Sequence, residues 1–574
     1  MISFRISLIL LPVLLFGCGS NVPKPNDDLE EVDLKNEIAF EEETVTEEET
    51  TDSFEPDIAE IIEALSEIAI LDTLDLSDEP ETKEDFPSDH EYQEEIDDSI
   101  APEEILVEDI HGEFSDLTEL LVELQSDDGF SPEIPDIVQE AGADEYDFSY
   151  IYTPSGTCGM AEYDWLKPDQ VGDVVEWFEL DQYHLSAEMI EFLLEQAGYK
   201  GIIQVKNGTR VFALRYATQD RGKVIEATAL VGVPDLPIAE SSVYAPSVLV
   251  LHGTTGYSDA CAPSADQIIG PFGAILPASL GFISVAPDFL GMNGFGEPSE
   301  IEHPYLIGEP TAIASLDSAR AAFKMLDEID AGVLPDLRVI PFGGSQGGHA
   351  ALFVQRYAPV YAPEFDIDCV IALVPPANLA GQAIFAFNSL KSASALGTAF
   401  LTAAWFWYAP DLPASDIFNA NGPKDYSVYI PQKYKETCDA AEFFAGAKTP
   451  GDVFNPDFLE AVSSGNVADL DPWGCYALEN SLPTTQVPYL SDAMVLFVIG
   501  ENDELVSNDI EEVTASVLCS QGYKIKFVEC AGADHAGAPF DSLGIQFDFL
   551  NKCVAGIEPS PEEICVIAPP VQCE

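Results

Sequence analysis

One serine in this chain stands among four glycines: residues 342–350 read FGGSQGGHA. A serine hydroxyl attacks a carbonyl only when a base takes its proton and an acid orients that base. The glycines carry the first half of that chemistry. In Gly343-x-Ser345-x-Gly347 the strand-like run 338–342 leads in and a helical run, 349–357, leads out. That context predicts a strand-to-helix turn with no room for β-carbons beside the serine, which holds its hydroxyl exposed on a strained elbow. A phosphate cradle is the rival reading. It lacks the lysine of a Walker loop and the spacing of a dinucleotide fingerprint.

Only two histidines follow the serine, His349 and His535. His349 lies four residues along the predicted helix, on the side away from the hydroxyl, so it is expected to pack. His535, in Ala533-Asp534-His535-Ala536-Gly537, follows the apolar run 525–530 and is the expected base. Asp503 follows the run 494–499 and is the expected orienting acid, with Glu501 and Glu504 as rivals. Asp534 is too near His535 along the chain to orient it easily. Both segments fall just past strand ends, where sheet enzymes place their sites. The developing oxyanion needs fixed N–H donors. His252-Gly253-Thr254-Thr255-Gly256 follows the apolar run 247–251 and offers the N–H of Thr254, or else Thr255. The second donor is the N–H of Gln346, directly after the nucleophile. His303, in His303-Pro304-Tyr305, reads as structural.

The elements that must position these residues are legible as a rhythm. Asn207-Gly208 reads as a hairpin turn leading into a strand at 210–217, with another at 223–232. The short apolar runs 247–251 and 282–286 read as strands covered on both faces, and further strands follow at 369–374, 494–499 and 525–530. Ile313, Leu316, Phe323 and Leu326 line one helix face. Strands alternating with helices predict an α/β class with a mostly parallel sheet flanked by helices. From about 375 to 490 the rhythm breaks into a stretch rich in Ala, Phe, Trp and Pro. Its run Trp405-Phe406-Trp407-Tyr408 is flanked by prolines and charges, so it reads as an inserted helical cap rather than a membrane span. Its aromatics fit either an apolar acyl group or ordinary packing.

Composition divides the 574 residues. Residues 21–150 hold 47 Asp and Glu against 3 Lys and no Arg, so this stretch cannot offset its ordering entropy with a core. It reads as an acidic tether over 18–150, leaving 151–574 for the folded domain. A net charge of −80 excludes nucleic acid as a partner, because phosphates would be repelled. Residues 1–17 form an export signal: Arg5, then an apolar run from Ile6 to Phe16, too short to span a bilayer comfortably. Leu15-Phe16-Gly17-Cys18 resembles the bacterial lipoprotein box. That resemblance implies lipidation of the Cys18 thiol and a lipid-anchored place in the bacterial cell envelope. Setting Cys18 aside leaves 10 of the 11 cysteines, enough for five disulfides in an exported protein. Cys438 and Cys475 are candidates for one bridge, and Cys553, Cys565 and Cys573 for tying down the tail.

Taken together, these segments resemble the α/β-hydrolase superfamily, and within it secreted esterases of the secretory-lipase type. The resemblance rests on His252-Gly-Thr-Thr-Gly, Ala260-Cys261-Ala262-Pro263-Ser264, Ala286-Pro287-Asp288-Phe289-Leu290-Gly291, His303-Pro304-Tyr305-Leu306 and Gly343-Gly-Ser-Gln-Gly-Gly. With the Asp503 and His535 segments it covers about 200–550. It implies hydrolysis of a small-molecule or lipid ester through an acyl-enzyme, with no metal and no cofactor. Ser507 stands where these enzymes often carry proline. A peptidase or amidase of the same fold, and a surface-tethered binding protein with a disused site, are the alternatives. The acidic tether and the cysteine-rich tail have no counterpart in the group.

Overall fold

The computed structural model describes residues 157–573 except 200–202, 237–242, 267–269, 330, 466, 468 and 469. The export signal, Cys18 and the acidic stretch lie outside the described residues. Nine strands form one sheet: β1 (Val174–Glu179), β2 (Gly208–Asp220), β3 (Lys223–Asp235), β4 (Val243–Leu251), β5 (Ile283–Pro287), β6 (Val333–Gly344), β7 (Cys369–Leu373), β8 (Met494–Gly500) and β9 (Lys524–Cys530). The spatial order is β1-β2-β3-β5-β4-β6-β7-β8-β9. From β5 through β9 every neighbouring pair is parallel, and the β1, β2, β3 end is antiparallel. The wholly buried β7 and β8 are the continuous apolar runs expected of strands with both faces covered.

The hairpin turn is not at Asn207-Gly208. Residue pairing runs from Gly208↔Asp235 to Asp220↔Lys223, leaving Arg221 (φ 47°) and Gly222 (φ 79°) as a two-residue loop with positive φ at both positions. Gly208 serves a different purpose. A β-carbon there would lie 2.7 Å from the Leu185 carbonyl oxygen, so the glycine admits a close backbone approach. Strand β1 was not anticipated in sequence. It forms the exposed edge of the sheet, where the Arg210 guanidinium donates to both Glu179 oxygens at 2.7 and 2.9 Å and Arg215 pairs with Glu176. Charges on an edge strand discourage pairing with another chain.

Between β7 and β8 the chain forms a helical insertion. Its longest helix, Ser392–Tyr408, carries no charged residue. Two buried threonine hydroxyls inside it are satisfied on its own backbone: Thr398 donates to the Ser394 carbonyl and Thr402 to that of Thr398, each at 2.8 Å. No helix among the described residues is long and apolar enough to cross a membrane.

Five disulfides are present, and two of their pairings differ from expectation. Cys438 bonds Cys261 and Cys475 bonds Cys158, so these two cysteines tie the insertion to the loop after β4 and to the segment before β1 rather than to each other. A Cys438–Cys475 bridge would have closed the insertion on itself. The tail cysteines behave as expected: Cys553 bonds Cys369, Cys565 bonds Cys519 and Cys573 bonds Cys530. The tail runs along the free side of β9. There the Val571 N–H donates to the Glu529 carbonyl and the Ala531 N–H to that of Val571, both at 2.8 Å. Replacing Cys530 and Cys573 together by serine is expected to lower unfolding free energy by about 2–5 kcal/mol, because the 43-residue loop is no longer closed in the unfolded chain. Chemical denaturation of the two proteins measures it, and equal midpoints would contradict it.

Candidate active site

Strand β6 ends at Gly344 and the helix Gln346–Tyr361 begins two residues later, leaving Ser345 alone at the corner with φ 53°. A non-glycine residue at positive φ is strained, and it persists only where its surroundings fix it. The Ser345 N–H donates to the Leu373 carbonyl at 2.8 Å. A β-carbon on Gly343 would lie 2.2 Å from the Gly347 oxygen, and one on Gly347 would lie 1.9 Å from that of Leu251. Glycine is therefore required at both positions, on the side of β4 and on the side of the helix.

His535 and Asp503 reach the same end of the sheet from the loops after β9 and β8. His535 Nδ1 lies 2.7 Å from Asp503 Oδ2, and both side chains are almost fully buried. The other oxygen of Asp503 accepts the N–H groups of Leu505 and Val506 at 2.9 Å each. With Nδ1 donating to the carboxylate, Nε2 holds the imidazole lone pair, and it has no hydrogen-bond partner. No hydrogen bond joins it to Ser345 in this structure. Such bonds are often long until substrate is bound. The rival acids are engaged elsewhere. Glu501 accepts from the Gly532 N–H at 2.6 Å, Glu504 from the His535 N–H, and Asp534 from the Gly537 N–H at 2.7 Å.

Gln346 is the first residue of its helix, so its N–H has no intrahelical carbonyl to bond. Across from it, the Thr254 hydroxyl pairs with the Tyr305 hydroxyl at 2.7 Å, while the Thr255 hydroxyl is buried without a partner. His349 is buried beneath the elbow, bonded through Nε2 to the Asn480 carbonyl at 2.9 Å; burial lowers its pKa to about 4. His303 is fully buried as well, and burial lowers its pKa to about 3.

Ser345 opens on a cavity roofed by the insertion. The remaining lining is nearly all apolar: Leu379, Ala386, Phe387, Phe400, Val462 and Trp473 are representative. The polar exceptions include Tyr305 and Gln382. Gln382 was missed in sequence, although one amide inside the helix Leu379–Ala386 is the signal that could have found it. It accepts from the Ser507 N–H at 3.0 Å and donates to the Ser507 carbonyl at 3.2 Å and to Glu511 at 3.0 Å. Proline at 507 could not make the first of these bonds.

The chain is similar to known proteins. Residues 274–404 match the Secretory lipase family. The rice cell wall degrading esterase LipA from Xanthomonas oryzae superposes with a TM-score of 0.51 at 19% identity, covering 68% of this chain and 97% of that one. Candida antarctica lipase A in its closed state does so with a TM-score of 0.51 at 16% identity, covering 75% and 89%. The chain has the α/β-hydrolase fold. None of the curated protein sequences matches it. The family match supports a hydrolase acting on esters.

Within this fold Glu511 stands behind the Asp503 loop, wholly buried, and burial raises its pKa to about 8 against the pull of the Gln382 hydrogen bond. Its ordinary value is 4.5. A carboxyl whose folded pKa is raised contributes stability that is full below about 4.5 and lost as the pH climbs through about 8. Asp288, Asp317, Glu309 and Glu479, raised to between about 6 and about 7 by burial, slope the same way. Glu511→Gln is therefore expected to flatten, without abolishing, the fall of Tm between pH 5 and pH 9. An unchanged slope would show that Glu511 has no such shift.

Proposed function

We propose that this protein hydrolyses carboxylic esters of long apolar acids, with Ser345 as nucleophile, His535 as general base and Asp503 as the orienting acid. One observation carries the reading. A buried imidazole bonded to a carboxylate keeps its second nitrogen unpartnered, and the serine on the strained elbow opens on an apolar cavity.

The steps follow from the arrangement. The acyl chain enters the cavity, driven by about 25 cal/mol per Å² of apolar surface buried, and the ester carbon comes to rest at Ser345 Oγ. The hydroxyl attacks while His535 Nε2 takes its proton. Asp503 fixes the tautomer and stabilises the imidazolium, itself held by the Leu505 and Val506 N–H groups. The N–H groups of Thr254 and Gln346 receive the oxyanion. His535 then protonates the departing alcohol, and a water repeats the sequence on the acyl-enzyme. Five disulfides fit export to an oxidising compartment. Within the same proposal, Cys18 carries the lipid anchor, and the acidic stretch spaces the enzyme from the membrane.

Ser345→Ala is expected to abolish both p-nitrophenyl ester hydrolysis and labelling by a fluorophosphonate, at unchanged Tm. Hydrolysis surviving in that variant would end the assignment, and failure of the parent to label would favour a binding protein. A panel of peptide amides tested beside the esters separates the amidase alternative. Ala386→Phe, which fills the cavity beside Phe387, is expected to lower kcat/KM for p-nitrophenyl palmitate at least about tenfold while sparing the butyrate ester. Equal losses on both esters would place the acyl chain elsewhere.

A further inference from the structure

His303 makes more bonds toward the site than a packing residue needs. It is wholly buried. Its Nδ1 lies 2.8 Å from the Leu290 carbonyl oxygen, so Nδ1 carries the hydrogen and Nε2 the lone pair. Gln346 Nε2 lies 2.8 Å from that lone pair, which fixes the Gln346 amide with its NH₂ group toward the ring. The ring lies parallel to Phe289 at 6.2 Å between centroids, and Phe289 stacks on His252 at 4.1 Å. His252 in turn contacts the Gly253 carbonyl at 2.7 Å, one residue before Thr254. The three rings thus connect the elbow to the loop after β4.

The stack is held from several sides. Phe289 has φ 65°, a strained conformation for a residue with a β-carbon. Gly291 lets the two loops meet, since a β-carbon there would lie 2.5 Å from the His303 Cα. From the insertion, the Tyr434 hydroxyl donates to the His303 carbonyl at 2.6 Å.

We infer that His303 is a positioning residue: through the Gln346 amide and the Phe289–His252 stack it sets the two N–H donors of the oxyanion site at their working separation, and Tyr434 ties that setting to the insertion. This inference rests on the ester-hydrolase reading above. An N–H that must meet a developing charge within a few tenths of an ångström is useful only if its peptide plane cannot rock. A side chain bonded at its tip holds that plane at one end, and the helix holds it at the other.

The test is a double-mutant cycle on the full chain with His303→Leu, Gln346→Ala and both together. It uses a p-nitrophenyl ester as substrate and an alkyl boronic acid as the tetrahedral mimic. Each single variant is expected to lose about 10- to 100-fold in kcat with KM changed by less than about twofold, and to bind the boronic acid more weakly by a matching factor. The double variant should be no worse than the poorer single one. His303→Gln, whose side-chain oxygen can still accept from Gln346, should recover most of the rate. Unchanged kcat, additive losses, or falling kcat with undiminished boronic acid affinity would each overturn the role. If His303→Leu does not fold, Gln346→Ala alone decides: full kcat in that variant removes the proposed connection. Fluorophosphonate labelling of the parent separates the two levels. A labelled parent with kinetically silent variants sinks only the positioning role, whereas an unlabelled parent sinks the hydrolase reading as well.

Discussion

The whole site depends on backbones touching. Where β4 passes the elbow, the Leu251 carbonyl oxygen sits 1.9 Å from where a Gly347 β-carbon would be. On the adjacent side Gly343 meets the Gly347 carbonyl as closely. This contact forces the chain to turn from strand to helix within one residue, and that residue is Ser345. The turn does three things at once. It strains the serine into positive φ, it leaves the first N–H of the helix without a carbonyl, and it aims the hydroxyl away from the protein's own helix. A β-carbon at either glycine would separate β4 from the helix, and the corner that holds Ser345 and the free Gln346 N–H would be lost.

Around that contact the buried polar groups have unambiguous states. His252, His303 and His349 are held neutral by burial, with pKa values lowered to about 4, 3 and 4. A neutral imidazole donates at one nitrogen and accepts at the other, so it can serve as a directional connector without bringing charge into the buried site. The Asp288 carboxyl accepts from the Ser264 N–H, the Ser264 hydroxyl and the Thr228 hydroxyl and so anchors the loop that follows β4. The insertion is joined to this framework covalently as well. Cys261–Cys438 bonds it to the loop after β4, and Gly256, at φ 138°, makes the space: a β-carbon there would lie 2.5 Å from the Cys261 sulfur.

Much of this was legible in the residues, for reasons that differ by element. Buried parallel strands announce themselves as apolar runs, and the glycine spacing at 343–347 has one steric explanation, so the sheet, the elbow and the order of the site segments could be read in advance. Asn207-Gly208 misled because glycine answers two needs, positive φ and close approach, and sequence does not say which. Strand β1 was missed because an edge strand with Glu176 and Glu179 facing Arg215 and Arg210 has no buried face to print a pattern. The disulfide partners of Cys438 and Cys475 lie 177 and 317 residues away, and no local signal encodes a contact of that range. Gln382 and Glu511 were overlooked because a buried amide–carboxyl pair shows itself only once both helices are placed.

The cysteine-rich tail, which had no counterpart in the resemblance, has a physical reason in the sheet order. His535 is carried by the loop that leaves β9, and β9 is the last strand, with β8 as its only neighbour in the sheet. An edge strand keeps half of its backbone groups unpaired and its end free to fray. Here the tail takes the missing neighbour's place: the Cys565 N–H donates to the Ile525 carbonyl, and Val571 exchanges bonds with Glu529 and Ala531. Cys530–Cys573 closes the end of the strand five residues before the imidazole. Ser345 gains its rigidity from the centre of the sheet, between β4 and β7. The imidazole, placed at the margin, gains it from a covalently stapled strip of chain, and so both sides of the site are held fast although only one of them lies at the centre of the sheet.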